Sequence, residues 1–204
     1  MSDNPTPARA WAEMVRGNAR FVSGAPKHPR QDVERRHQLA AAQKPRAALF
    51  GCSDSRLAAE IIFDKGLGDL FVVRNAGQVI SDSAIASLEY AVAVLDVPLL
   101  IVLAHDACGA VQAEIDLDTP DSAPLPPLFA VRSASIRPAV RLAASRDPED
   151  VGKVHLEQTV KALVERSELI SDAIAAGTLG VVGANYRLLE GRVVPDVVLG
   201  AIES

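Results

Sequence analysis

From Arg46 onward, short apolar runs alternate with segments of helical character, and few architectures accept that order. The runs are "RAALFG" (46–51), "LFVVR" (70–74), "LLIVLA" (99–104) and "LGVVG" (179–183). Each is too short for a helix and shows no polar residue every second position, which is how a strand covered on both faces reads. Between them, helices are expected at Leu57–Asp64, Ser83–Leu95 and Cys108–Ile115, with more between Leu128 and Gly177. Strand–helix alternation of this kind implies an α/β fold with a mostly parallel central sheet flanked by helices. "NYRLLEGRVVPDV" (185–197) reads as a C-terminal hairpin turning at Glu190-Gly191.

Residues 1–45 read as an N-terminal helical arm and residues 46–204 as the α/β domain. Thr6 can cap a helix that has Pro7 at its first position. Trp11, Met14, Val15, Asn18 and Phe21 then share one stripe at helical spacing, and Gly24 stops it. A second helix is expected from Asp32 to Gln43, ended by Pro45. Two short helices cannot bury that stripe between themselves, so it must lie on the α/β domain or on a second copy of the chain. Asp116–Pro127 is a Pro/Asp-rich loop. No repeat or low-complexity segment is evident.

Composition removes several functions. With 204 residues, 49% of them apolar and 23% charged, the chain suits one globular core. A formal charge of -5 and no basic run longer than Arg35-Arg36 argue against a nucleic-acid or anionic-membrane partner. No apolar stretch approaches a membrane span, and the first residues lack the apolar core of a signal peptide. Two cysteines are too few for a disulfide framework, so a reducing, cytoplasmic location is expected.

Both cysteines occupy the same kind of position. "FGCSDSRLAAE" (50–60) puts Cys52, Asp54 and Arg56 where a strand becomes a helix, and "LAHDACGAV" (103–111) does so for His105 and Cys108. In a parallel sheet, strands that end alike deliver their exits to one edge, where open α/β sheets collect their chemistry. Two thiolates and an imidazole are donors that Zn²⁺ takes, and a helix N-terminus favours the thiolate. A cysteine after a strand is more often a small core residue, and a thiol–disulfide pair is a further alternative. Finding C-x-D-x-R after one strand and H-x-x-C after another is what favours a metal.

These motifs resemble the β-class carbonic anhydrases. The likeness extends through "AAQKPRAALFGCSDSR", "GDLFVVRNAG", "SLEYAVAVLDVPLLIVLAHDACGAV" and "GANYRLLEG", roughly residues 8 to 195, and is weakest over 116–148. It implies a zinc enzyme for the reversible hydration of CO₂ to bicarbonate and a proton. It also implies a homo-oligomer, dimer or tetramer, joined through the N-terminal helices. Cys52, His105 and Cys108 are then the zinc ligands, one ion per subunit. Three ligands leave a position open for water, as catalytic zinc requires. Asp54, held by Arg56, is expected to accept the proton of zinc-bound hydroxide and aim it at CO₂. Were Asp54 to leave Arg56, it would become a fourth ligand and close the site. The resemblance places Gln43, Phe71 and Tyr90 on the substrate pocket of a neighbouring subunit, with Gly109 offering a backbone N–H. Some members carry a regulatory bicarbonate site; Arg74 and Tyr186 match its side chains, but Leu49 stands where that site has Trp. His28, His37 and His155 are expected to be solvated. Alternative readings are hydrolysis of carbon disulfide or carbonyl sulfide, and a non-catalytic zinc or bicarbonate sensor.

Overall fold

The computed structural model describes residues 5–117, 119 and 122–202. Five strands form one sheet: β1 (Ala47–Cys52), β2 (Leu70–Asn75), β3 (Leu99–His105), β4 (Gly180–Arg187) and β5 (Arg192–Leu199). Their order is β2-β1-β3-β4-β5. The first four are parallel and β5 returns antiparallel to β4, forming the expected hairpin. Every residue of β1 and β3 is buried, which explains why their sequences show no alternation. Pro195 lies on edge strand β5, beside a register shift opposite Gly183/Ala184, where a missing N–H is tolerated. Positions 118, 120 and 121 of the expected Pro/Asp-rich loop lie outside the described residues.

Nine α-helices lie among the described residues: α1 (Pro7–Val22), α2 (Val33–Gln38), α3 (Ala59–Ile62), α4 (Asp82–Ala93), α5 (Gly109–Asp116), α6 (Pro127–Ser133), α7 (Arg137–Leu142), α8 (Pro148–Arg166) and α9 (Glu168–Ala175). They cover two separate apolar clusters. Residues of α1, α3, α5 and α7 join Leu49, Ile101 and Val182 in one. Residues of α4, α8 and α9 join Phe50, Val102 and Val181 in the other.

The arm starts as its sequence implies. Thr6 Oγ1 accepts from Arg9 N at 3.3 Å, and Pro7 opens α1. Its inner face is Ala10, Met14, Gly17 and Asn18, whereas Val15 of the apolar stripe is exposed. A Cβ on Gly17 would lie 1.8 Å from Phe63 O, so only glycine lets α1 approach so closely. Asn18 donates to Ile62 O and Gly191 O, and accepts from Val193 N. One buried amide thus ties α1 to the end of α3 and to the hairpin. The second helix is shorter than expected. Asp32 caps it through Arg35 N, but it ends at Gln38, leaving Gln43 exposed in an irregular segment.

Candidate metal centre

The chain runs from β1 outward to β2, then returns past β1 to build β3 and β4 on its other side. The carboxyl ends of β1 and β3 therefore splay to opposite sides of a topological switch point, the usual ligand crevice of such sheets. Cys52 closes β1, His105 closes β3, and Cys108 caps α5. All three are buried, and their ligand atoms lie within 4.8 Å of one another. Two free cysteines 56 positions apart in sequence thereby share one site.

Hydrogen bonds orient each donor. His105 Nδ1 lies 2.8 Å from Asp106 O. A carbonyl can only accept, so Nδ1 carries the proton and Nε2 keeps its lone pair. That Nε2 is buried and has no hydrogen-bond partner, an expense that a metal would remove. Ala107 takes φ 49°, a left-handed conformation costly for a side chain, and this bend separates His105 from Cys108. Gly77 N donates to Cys52 Sγ at 3.3 Å. Its hydrogen bond with Cys108 brings the Cys52 thiol down to about 4, while the same contact and burial push Cys108 up. The closeness of the two sulfurs thus favours the thiolate at Cys52 and disfavours it at Cys108, a conflict that a cation between them would relieve.

Asp54 stands beside this group, with Oδ2 3.9 Å from His105 Nε2. Arg56 reaches it through Nε to Oδ1 (2.9 Å), Nη2 to Oδ2 (2.7 Å) and its own backbone N–H to Oδ1 (2.9 Å). Those bonds from Arg56 hold the carboxyl well below the usual carboxylate range, against the opposing effect of burial. Arg56 also donates to Ala107 O at 3.2 Å, joining the two motifs. Asp54 is paired with Arg56 and is not part of the three-residue ligand group.

Two supporting residues lie outside the two motifs. Arg74 donates to Cys52 O (2.8 Å) and Asp54 O (2.6 Å), fixing the backbone between ligand and carboxylate. His155 corrects the expectation of a solvated side chain: it is 3% exposed, and its Nε2 donates to Gly77 O at 2.8 Å. Burial lowers its pKa, so it holds Gly77 as a neutral ring. A Cβ on Gly77 would meet that of Ala110 at 2.8 Å and its φ is +77°, so no other residue fits there. His28 and His37 are exposed as expected, and Leu49 and Tyr186 are buried.

Of the expected pocket residues, Gly109 follows the ligand Cys108 directly, whereas Phe71 packs in the cluster opposite to that of the two cysteines. Phe71 and Tyr90 pair with ring centroids 6.1 Å apart, and Phe71 packs on the cluster of Phe50 and Leu88. Cys52 and Cys108 belong to the other cluster. Gly109 opens α5, exposed, with nothing within 4 Å of where a Cβ would stand. A cavity of about 480 Å³ does adjoin Arg74, walled by Val73, Asn75, Val79, Leu128 and Phe129; neither Gln43, Phe71 nor Tyr90 lines it.

A family model described as carbonic anhydrase matches residues 47–193 of the chain. Carbonic anhydrase 2 of Mycobacterium tuberculosis is 49% identical over 197 residues, 94% of this chain and 93% of its own length. This chain belongs to the β-carbonic anhydrase family. Carbonic anhydrase of Mycolicibacterium smegmatis is 48% identical over 195 residues, 93% of each chain. The fold also matches one of two tetrameric β-carbonic anhydrases from Sordaria macrospora, with a TM-score of 0.71 at 24% identity, over 81% of this chain and 87% of that one. The family's metal is zinc, and the residues here fit it: two buried sulfurs and an unpartnered imidazole nitrogen, all within 4.8 Å of one another.

Proposed function

We propose that the protein catalyses the reversible hydration of CO₂ to bicarbonate and a proton, with Cys52, His105 and Cys108 holding one zinc ion per subunit. One observation carries the reading: in a member of this family, an ionised Asp54 clamped by Arg56 stands 3.9 Å from the His105 nitrogen of a buried Cys-His-Cys group. Bound zinc supplies a Lewis acid that makes water nucleophilic near neutral pH, an effect for which carbonic anhydrases are themselves the standard example.

The chain's own residues supply orientation. Asp54 is acceptor-only, and two of its acceptor positions on Oδ1 and one on Oδ2 are taken by Arg56. The remaining Oδ2 lone pair faces the His105 side and accepts a hydrogen bond from the attacking nucleophile, so that the nucleophile's lone pair turns toward carbon. Gly109 N–H, in the first turn of α5, is a donor for the developing bicarbonate oxygen. A closed form, with Asp54 released from Arg56 and serving as fourth ligand, uses the same residues. A structural zinc site or a sensor needs no carboxylate fixed by three donors beside its ligands, which favours catalysis.

The assembly we propose is a homo-oligomer in which Gln43, Phe71 and Tyr90 complete a neighbouring subunit's pocket. Support comes from their placement: Gln43 is exposed in the arm, and Tyr90 is exposed beside edge strand β2, in a cluster separate from this chain's own ligands. A dimer joined by the arms, pairing further into a tetramer, is the form we favour. We propose a cytoplasmic location, in keeping with two cysteines that form no disulfide; no described helix is long and apolar enough to cross a membrane.

The test is stopped-flow CO₂ hydration alongside metal analysis of the purified protein. We expect one zinc per subunit and rapid hydration lost on chelation and regained on zinc addition. Stoichiometric zinc without any hydration activity at any pH would overturn the catalytic reading.

A further inference from the structure

A cavity of about 670 Å³ lies away from the metal ligands, between the N-terminal arm and the α/β domain. Two of its residues, Arg46 and Asp69, immediately precede β1 and β2, so it opens at the amino-terminal rim of the sheet, whereas the ligands sit at the carboxyl rim. Its lining holds eight basic side chains and three carboxylates, with Pro29 as the one uncharged residue. In a chain of net charge -5, that is a strongly cationic hollow.

The three carboxylates are already committed. Asp64 takes Arg20 and the backbone N–H groups of Lys27 and His28. Asp69 takes Arg30 and Gly66 N, and Glu13 takes Arg46. Arg16, Lys27 and Lys44 line the cavity with no ion pair among the described residues. As exposed side chains they would not by themselves mark a site.

Lys65 is different. It lines the cavity, is only 7% exposed, and has no carboxylate within 4.0 Å of its ammonium among the described residues. A buried cation without a close counter-ion is costly to keep charged, and burial lowers its pKa accordingly. Glu13 and Asp69 act on it only at longer range.

We propose that this cavity binds a multivalent phosphate-type anion, with Lys65 as its buried anchor and Arg16, Lys27 and Lys44 as its rim. The volume suits a small metabolite. A nearly all-charged wall offers an apolar molecule nothing, and a monovalent anion would leave most of the positive charge unmatched. The cations come from both sides, Arg16, Lys27 and Lys44 from the arm and Lys65 from the turn after α3, so the ligand would pin the arm to the domain. Binding to the folded chain alone then raises its melting temperature by mass action. This inference does not rest on the CO₂ reading.

The test uses the full-length, zinc-loaded protein, titrated calorimetrically with pyrophosphate and separately with ADP at ionic strength matched by chloride. Zinc content is measured before and after, because both probes bind metal. We expect saturable binding and a rise in melting temperature that grows with probe concentration. Lys65→Met should weaken binding at least tenfold while leaving CO₂ hydration unchanged. The exposed pair Lys27→Gln/Lys44→Gln should weaken it several-fold, and decides the matter if Lys65→Met does not fold. Tighter ADP binding with the same variant losses assigns a nucleoside diphosphate, and equal affinities assign the inorganic ion; both support the site. Absence of saturable binding by either probe, or variants that bind as the wild type does, would overturn it.

Discussion

Asp54 receives three hydrogen bonds from one arginine, which fixes both its charge and its direction. Because Arg56 depresses its pKa, Asp54 is ionised throughout the neutral range and cannot be a proton donor there. Asp54→Ala and Arg56→Ala should each lower kcat for CO₂ hydration by about 10²-fold, the order lost when a reacting group is misplaced, with zinc content unchanged. Wild-type rates in both variants would remove the pair from the mechanism. His155 acts one step further out, through Gly77, on Cys52. Its replacement by Ala should weaken zinc binding by about 10- to 100-fold, as losses behind a metal ligand do. Competition with a chromophoric chelator measures this. His155→Gln, which restores an N–H donor, should recover part of the affinity; a merely space-filling role predicts no such recovery.

Among the elements, α1 depends on one buried carboxylate. Asp64 sits in the turn after α3 with its side chain 1% exposed, and it receives Arg20 from α1 at 2.6 Å and two backbone N–H groups from the arm. Burial alone would raise its pKa, but the N–H groups of Lys27 and His28 together with Arg20 prevail and lower it. An acid whose folded pKa lies below its unfolded value stabilises the fold fully above the unfolded value, about 4. That stabilisation fades as the pH falls through the folded value. Asp64→Asn should therefore cost about 2 kcal/mol at pH 7, roughly 4–8 °C in Tm for a chain of this size. Thermal melts should show the gap between variant and wild type shrinking below about pH 4. A gap that stays constant down to pH 3 would mean that the charge of Asp64 is not what anchors the arm.

At the scale of the whole molecule, strand order decides where chemistry can occur. Building β2 on one side of β1 and β3 on the other leaves a single crevice at the carboxyl rim, and the ligands close the two strands that border it. The same layout puts Tyr90 and Phe71 outward on the β2 side. If they complete a neighbour's pocket, Tyr90→Glu should shift the protein toward monomer in analytical ultracentrifugation, an interface tyrosine being worth about 2 kcal/mol or more. Hydration should fall with it, while zinc content stays at the wild-type level. An assembled, fully active variant would count against a shared pocket.

Much of this could be read without coordinates, because the signals are local. A run such as "LLIVLAH" is apolar throughout since β3 is covered on both faces, and Thr6-Pro7 starts α1 by its own hydrogen bond and fixed φ. Cys52, Asp54, Arg56, His105 and Cys108 were recognisable because strand ends that share a grammar share an edge. Other features needed the chain to be folded. The helix expected over Asp32–Gln43 stops at Gln38. His155 looked solvated in a polar helix, yet Gly77, far away in sequence, supplies the acceptor that buries it. Lys65 and its cationic cavity arise from arm, loop and domain meeting in space. Periodicity and turn chemistry act between neighbours along the chain, so sequence alone determines the elements and their exits. Long-range burial and charge depend on which elements meet, and only the tertiary structure decides that.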